Sequence, residues 1–241
     1  MDAAMGSKKG TPTRQAWDRR LIQGVLTNSD LLRGCPPGHA AAIAAQCWMI
    51  EAKRAEQIVV KGGRLPGVFA VAYGTVKIAL RSGRNIERIV RLAQAAETFG
   101  EASAFTGRPA PFDAFAVSAC KLLVIPTAAI LSYIDQDPRG ARQIVSTLGR
   151  RVLVLMAELE SSSMRSGAQR LAAYLGELAE PSTGASCEIR LPVPKAVIAA
   201  KLDMKKETLS RLLRDLSGAG LITVNGGFIT LLDRVKLGQL A

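Results

Sequence analysis

The side chains best suited to chemistry lie between Lys205 and Arg214. Lys206, Glu207, Ser210, Arg211 and Arg214 fall on one face of a helical projection. Leu209, Leu212, Leu213 and Leu216 fall on the other, at steps i, i+3, i+4 and i+7. An arginine on such a face can donate to guanine O6 and N7, a glutamate can accept from cytosine N4, and a serine adapts to either. The set suits the major groove of duplex DNA. Lys205 and Thr208 complete the candidate DNA-binding residues. A second stretch, Cys35-Pro36-Pro37-Gly38-His39, sets a thiol beside the only histidine. Both groups can ligate iron. The same residues also read as a Pro-Pro turn followed by a histidine at a helix start. No Gly-x-Ser-x-Gly, His-Glu-x-x-His or phosphate loop occurs, so no enzyme is expected.

The neighbours of the first stretch favour DNA over a merely solvated helix. Residues 194–202 predict a short helix, in which small Ala199 permits the close approach that a helix-turn-helix needs. Asp203-Met204-Lys205 forms the turn, and residues 206–217 form the second helix. Gly218-Ala219-Gly220 stops it. Residues 221–224 and 228–231 make a hairpin across Asn225-Gly226-Gly227, where Asn-Gly is a strong turn signal. The unit is a winged helix-turn-helix.

Upstream elements must carry and aim this unit. Residues 58–126 read as short strands with Gly and Pro punctuation, including a turn at 81–85, and predict a sandwich or barrel. A short helix is expected over 127–135, and Pro138 breaks the chain. A long helix follows over 140–162. Ala141, Val145, Leu148, Val152, Leu155 and Leu159 recur at three- and four-residue steps, a heptad seam that suits a second copy better than packing on the helix's own domain. Arg142, Arg150, Arg151, Glu158 and Glu160 occupy its other faces. Residues 169–179 form a further helix, ended by 181–184. A strand is expected over 187–191.

Composition fits these elements. The chain has 241 residues, 48% of them hydrophobic, with a formal charge of +12. That charge favours a polyanionic partner. No apolar run is long enough to span a membrane, and the start of the chain has no secretory core, so a cytoplasmic protein is expected. Its four cysteines lack metal-site spacing. Residues 1–20, with Lys8, Lys9 and Arg14, read as a flexible basic arm.

Residues 21–241, and most specifically Leu191-Pro192 through Asp233-Arg234, resemble the cyclic-AMP receptor/fumarate–nitrate reduction (Crp/Fnr) family of transcription regulators. The run Glu207-Thr208-Leu209-Ser210-Arg211-Leu212-Leu213 is similar to the branch that reads TTGAT half-sites, which includes nitric-oxide-responsive (Dnr-type) regulators of denitrification. The resemblance implies an α+β chain. A cyclic-nucleotide-binding-like β-roll would occupy 21–138, a dimerisation helix 139–165 and the winged helix-turn-helix 166–241. It also implies a homodimer, a signal at the β-roll and contacts with RNA polymerase, for which residues 81–88 are candidates.

Relatives that bind cyclic AMP follow a Gly-Glu pair with an Arg-Ser pair. Here Gly100-Glu101 is kept, but Pro111 and Phe112 stand where Arg-Ser would be, so cyclic AMP is not expected. The three clustered N-terminal cysteines of the iron–sulfur relatives are missing, so that cluster is not expected either. The candidate effector pocket is Gly100, Glu101, Phe105 and Phe112. Haem is the remaining cofactor, with Cys35 and His39 as candidate ligands.

Overall fold

The computed structural model describes residues 13–15, 18–81, 87–164, 166–179 and 186–240. Lys8 and Lys9, the turn at 81–85 beyond Arg81, and the loop at 181–184 lie outside them. The chain divides into two units, Met1–Val152 and Leu153–Ala241.

The first unit contains β1 (Thr13–Gln15), α1 (Arg19–Asn28), α2 (Pro37–Ala44), β2 (Trp48–Ala52), β3 (Gln57–Val59), β4 (Gly67–Tyr73), β5 (Val76–Arg81), β6 (Glu87–Ala93), β7 (Thr98–Phe99), α3 (Glu101–Thr106), β8 (Asp113–Ala116), β9 (Cys120–Pro126) and α4 (Thr127–Gln136). The long helix α5 (Pro138–Met164) continues into the second unit. Two sheets form, ordered β1-β2-β9-β4-β7 and β3-β8-β5-β6. Every pairing in them is antiparallel.

The strands β4 and β9 show why the sequence reads there as unbroken apolar runs. Side chains alternate across a strand. Phe69, Val71, Leu122 and Val124 enter a cluster shared with Ile58, Val76 and Ile78 of the other sheet. Val68, Ala70, Leu123 and Ile125 enter a second cluster, with Ile22, Leu26, Ile43, Ile130 and Ile144 of the helices. Both faces are covered, so both sets of positions are apolar. This is the expected sandwich, with a helical layer on one outer face.

Two boundaries differ from expectation. Thr13–Gln15, within the stretch read as a basic arm, pairs antiparallel with β2. Pro138 does not stand before the long helix but opens it. Proline suits a first helical turn because its missing N–H would have no helical partner there. Asp137 caps the same turn, its Oδ1 accepting from the Arg139 amide at 2.9 Å. Gly140 lies against the Tyr133 ring, which any Cβ would strike, so α4 and α5 approach closely.

The second unit holds α6 (Gly167–Leu178), β10 (Cys187–Arg190), α7 (Lys195–Lys201), α8 (Lys206–Gly218), β11 (Ile222–Asn225), β12 (Phe228–Leu231) and α9 (Arg234–Leu240). The strands form one sheet ordered β10-β12-β11. The wing turn is two residues long, since Asn225 pairs with Phe228 across Gly226 and Gly227. Gly226 has φ +57°, where glycine is at ease. The core gathers Leu171, Leu175, Ile198, Leu209, Leu213, Ile229 and Leu237, all buried. Among the described residues no helix is long and apolar enough to cross a membrane.

Candidate functional site

The first candidate site is the exposed face of α8. Leu209, Leu213 and Leu216 are buried, and Leu212 is half-buried. Their burial turns Lys206, Glu207, Ser210, Arg211 and Arg214 outward, and all five are exposed, as is Lys205. Thr208 is half-buried. Among the described residues no carboxylate forms an ion pair with Lys205, Lys206, Arg211 or Arg214. The face therefore keeps its positive charge available. Lys205 caps the helix start without a side-chain hydrogen bond, and Glu207 lies in the first turn, where the helix dipole favours an acid.

The turn before α8 is tight. Asp203 takes a left-handed conformation, φ +52°, and the Met204 amide donates back to the Ala199 carbonyl at 2.9 Å. Ala199 is almost fully buried, which matches the small residue the sequence pattern required.

The second candidate site surrounds Gly100 and Glu101, at the corner where β7 enters α3. Gly100 sits at φ +91°, and a Cβ there would meet Leu65 Cδ1 at 2.8 Å. Only glycine fits without a shift. Glu101 is buried, and its Oε1 lies 2.6 Å from Nη1 of Arg151 on α5. The two atoms are close as an ion pair but not aligned as a hydrogen bond. Arg151 Nη2 also donates to Asp30 Oδ2 at 2.6 Å and to Thr98 Oγ1 at 2.7 Å. Asp30 in turn accepts from the Thr98 amide and hydroxyl, and its carbonyl accepts from Thr147 Oγ1 of α5 at 3.2 Å. Burial works against the Arg151 charge, but Glu101 and Asp30 outweigh it and raise its pKa.

Arg151 therefore lies off the seam, on a face of α5 that turns inward. Its side chain is only 18% exposed. The inward face of this part of α5 is Ile144, Thr147, Leu148 and Arg151. Leu148, expected in the seam, packs against the helical-layer core of its own unit. Asp30 carried no sequence signal, because the contact joins residues 121 positions apart.

The four candidate pocket residues do not all meet. Phe112 packs against the cluster between the sheets, and Phe105 against the helical-layer cluster. Pro111 is exposed. Asp113 is buried and already engaged: its Oδ1 accepts from Gln57 Nε2 at 2.7 Å and the Lys61 amide at 3.0 Å, and Arg81 pairs with Oδ2 at 3.5 Å.

Cys35 and His39 lie together, both against Tyr133. The His39 and Tyr133 rings are 5.0 Å apart between centroids. Burial raises the Cys35 pKa although Tyr133 hydrogen-bonds its side chain. Cys35 belongs to the helical-layer cluster and Phe112 to the cluster between the sheets, so the haem-ligand candidates and the whole candidate pocket do not gather in one place.

On α5 the exposed apolar side chains exceed the predicted seam. Val145, Val152, Leu155 and Leu159 are exposed as expected, but Leu153, Val154 and Met156 are exposed too. The apolar surface is thus broader than a heptad stripe.

Residues 49–137 match the cyclic nucleotide-binding domain model and residues 169–240 the Crp-like helix-turn-helix domain model. A crystal structure from Ruegeria pomeroyi, described as a cyclic nucleotide binding protein, is 31% identical. It covers 92% of this chain and 98% of its own, with a TM-score of 0.61. The CRP-like cAMP-activated global transcriptional regulator of Mycobacterium tuberculosis is 22% identical over 220 residues, 90% of this chain and 98% of that one. FixK2 from Bradyrhizobium japonicum shares the fold, with a TM-score of 0.71 at 19% identity over 80% of this chain and 96% of its own. With a nucleotide-binding-type β-roll, the long helix α5 and a helix-turn-helix in this order, the chain belongs to the Crp/Fnr family of DNA-binding transcription regulators.

Proposed function

We propose that this chain works as a homodimer that reads a TTGAT-type palindrome through α8 and releases or grips it in response to a signal at the β-roll. The observation that carries the DNA reading is the exposed set Glu207, Ser210 and Arg211 on a helix whose other face is buried. Arg211 donates to guanine, Glu207 accepts from cytosine, Ser210 adapts, and Lys205, Lys206 and Arg214 neutralise phosphate. Binding at fixed salt to a TTGAT-N4-ATCAA duplex tests it. Affinity equal to that for a scrambled duplex would overturn the sequence-specific part, because phosphate contacts alone do not discriminate.

A second copy is the fitting cover for Val145, Val152, Leu155 and Leu159, since a contiguous exposed apolar surface of this kind marks an interface. Two recognition helices would then enter major grooves about one turn apart, ~34 Å. Sedimentation equilibrium reads this directly: a monomer at micromolar concentration would contradict it.

The signal would act by shifting populations. Arg151 ties the Gly100–Glu101 corner to α5, so a change at the corner alters how α5 is held. A redox or gaseous signal suits this pocket better than a cyclic nucleotide. Position 111 is proline, position 112 phenylalanine, and the nearby Arg81 is taken by Asp113. The retained Gly100–Glu101 corner favours cyclic AMP as a second reading. Calorimetric titration separates the two, with no binding heat expected for cyclic AMP. Haem binding would appear as a Soret band that survives gel filtration. Activation would proceed through contacts with RNA polymerase.

A further inference from the structure

We infer that Arg170, on α6, is a positioning residue for DNA reading: it holds the turn between α7 and α8 and so sets the angle at which α8 enters the groove. This rests on α8 being the reading helix.

The helix α7 has only seven residues, and the carbonyls at its end have no partners within the helix. Arg170 meets that end from the side. Its Nε donates to the Leu202 carbonyl at 2.9 Å and its Nη2 to the Asp203 carbonyl at 3.5 Å. These carbonyls bracket the one strained residue of the turn, Asp203 at φ +52°. A side chain other than glycine occupies that region only when its surroundings hold it there. A planar guanidinium with donors fixed in direction can hold two carbonyls in one geometry, and a lone ammonium cannot.

The base of this clamp is itself fixed. The first turn of α6 has a capping box, in which Ser166 Oγ accepts from the Gln169 amide at 3.2 Å and Gln169 Oε1 accepts from the Ser166 amide at 2.8 Å. A Cβ at Gly167 would lie 3.4 Å from Leu212 Cδ1 and 3.7 Å from Met204 Cε. The same turn of α6 therefore abuts both the turn and α8, with Arg170 on the carbonyls and Gly167 under Leu212. Arg170 is half-buried, and its Nε and Nη2 are directed at the two carbonyls. Its effect on DNA runs through the placement of Glu207, Ser210 and Arg211.

The test uses the full chain and the duplex that wild-type protein enriches from a random library, so a different half-site leaves it intact. Arg170→Met keeps the apolar stem and removes the donors. It should weaken binding to the enriched duplex about tenfold or more, the size of one lost base contact. Binding to scrambled duplex should stay within about twofold, with the salt slope unchanged, because no phosphate contact is lost. In the free protein the Met204 amide, bonded to Ala199, should exchange at least tenfold faster. This second readout needs no DNA and separates failure of the clamp from failure of the DNA reading. Should Arg170→Met not fold, Arg170→Lys carries the same readouts, with reduced discrimination expected despite the retained charge. Wild-type protection of Met204 would overturn the inference. So would an equal loss on both duplexes with a salt slope lower by about one, which is the mark of a phosphate contact.

Discussion

In the first unit Arg151 lies mostly covered, 2.6 Å from Glu101 and 2.6 Å from Asp30, whereas in the second Arg211 stands exposed on α8. Both are arginines on helices, and their sequence neighbourhoods look alike, with leucines and further basic residues nearby. Their surroundings differ in water. A charge taken out of water loses its hydration and must recover that energy from partners in good geometry. A charge left in water keeps its hydration, gains little from a surface partner, and stays available to a polyanion. Arg151 is thus a structural tie, and Arg211 is left exposed for the reading role proposed for it. Changing the first should register in stability, and changing the second in DNA affinity.

The largest expected effect lies in the first unit. Arg151→Met leaves Glu101 and Asp30 facing each other without a cation, and loss of one partner of a buried pair costs about 3 kcal/mol or more. Urea unfolding followed by fluorescence should show this as a lower midpoint with unchanged slope. A stability unchanged within about 0.5 kcal/mol would mean the network is no tie. Next, Arg211→Ala should leave the unfolding midpoint untouched and weaken binding to the specific duplex by about 1–3 kcal/mol. A smaller effect distinguishes reader from anchor within α8. Lys206→Gln should weaken specific and scrambled duplexes alike and lower the salt slope by about one. Base-selective loss there would move Lys206 into the reading set.

The smallest effect concerns thiols and sharpens the contrast between buried and exposed groups. Burial pushes the Cys47 thiol up to about 12 and raises those of Cys35 and Cys120. At pH 8 iodoacetamide should label Cys187 first, as read by intact mass and peptide mapping. Cys47 and Cys187 are both half-buried, so rapid labelling of Cys47 would contradict its raised pKa. The same shift gives a sign for stability. Between about 9 and about 12 the folded Cys47 holds a proton that the unfolded chain has lost. Its stabilising contribution is therefore complete below about pH 9 and falls as pH rises toward 12.

How much of this was legible in the sequence depended on the range of the interaction. Leu209, Leu213 and Leu216 mark the buried face of α8 by local period alone, so the outward set from Lys206 to Arg214 could be read without the fold. Asn225-Gly226 likewise announces its own turn. The pocket was less legible. Phe105 and Phe112 look equivalent in sequence, yet packing sends them to different clusters, a choice made by distant strands. Local pattern places Arg151 off the seam and no more, and only Asp30, Thr98 and Glu101, brought in by the fold, show that its face turns inward. The helix α3 is six residues long, too short for a periodic signal, and α9 was missed for the same reason.

The central claim is that Arg211 reads a base from the exposed face of α8. The most direct measurement is a four-way set of binding isotherms at one salt concentration. It pairs wild type and Arg211→Ala with the TTGAT palindrome and with a palindrome whose guanine–cytosine pairs are replaced by adenine–thymine. Wild type should lose about 1–3 kcal/mol per replaced pair, and Arg211→Ala should lose clearly less, keeping only what Glu207 contributes through cytosine. Additive losses, with Arg211→Ala discriminating the two duplexes as well as wild type does, would contradict the account.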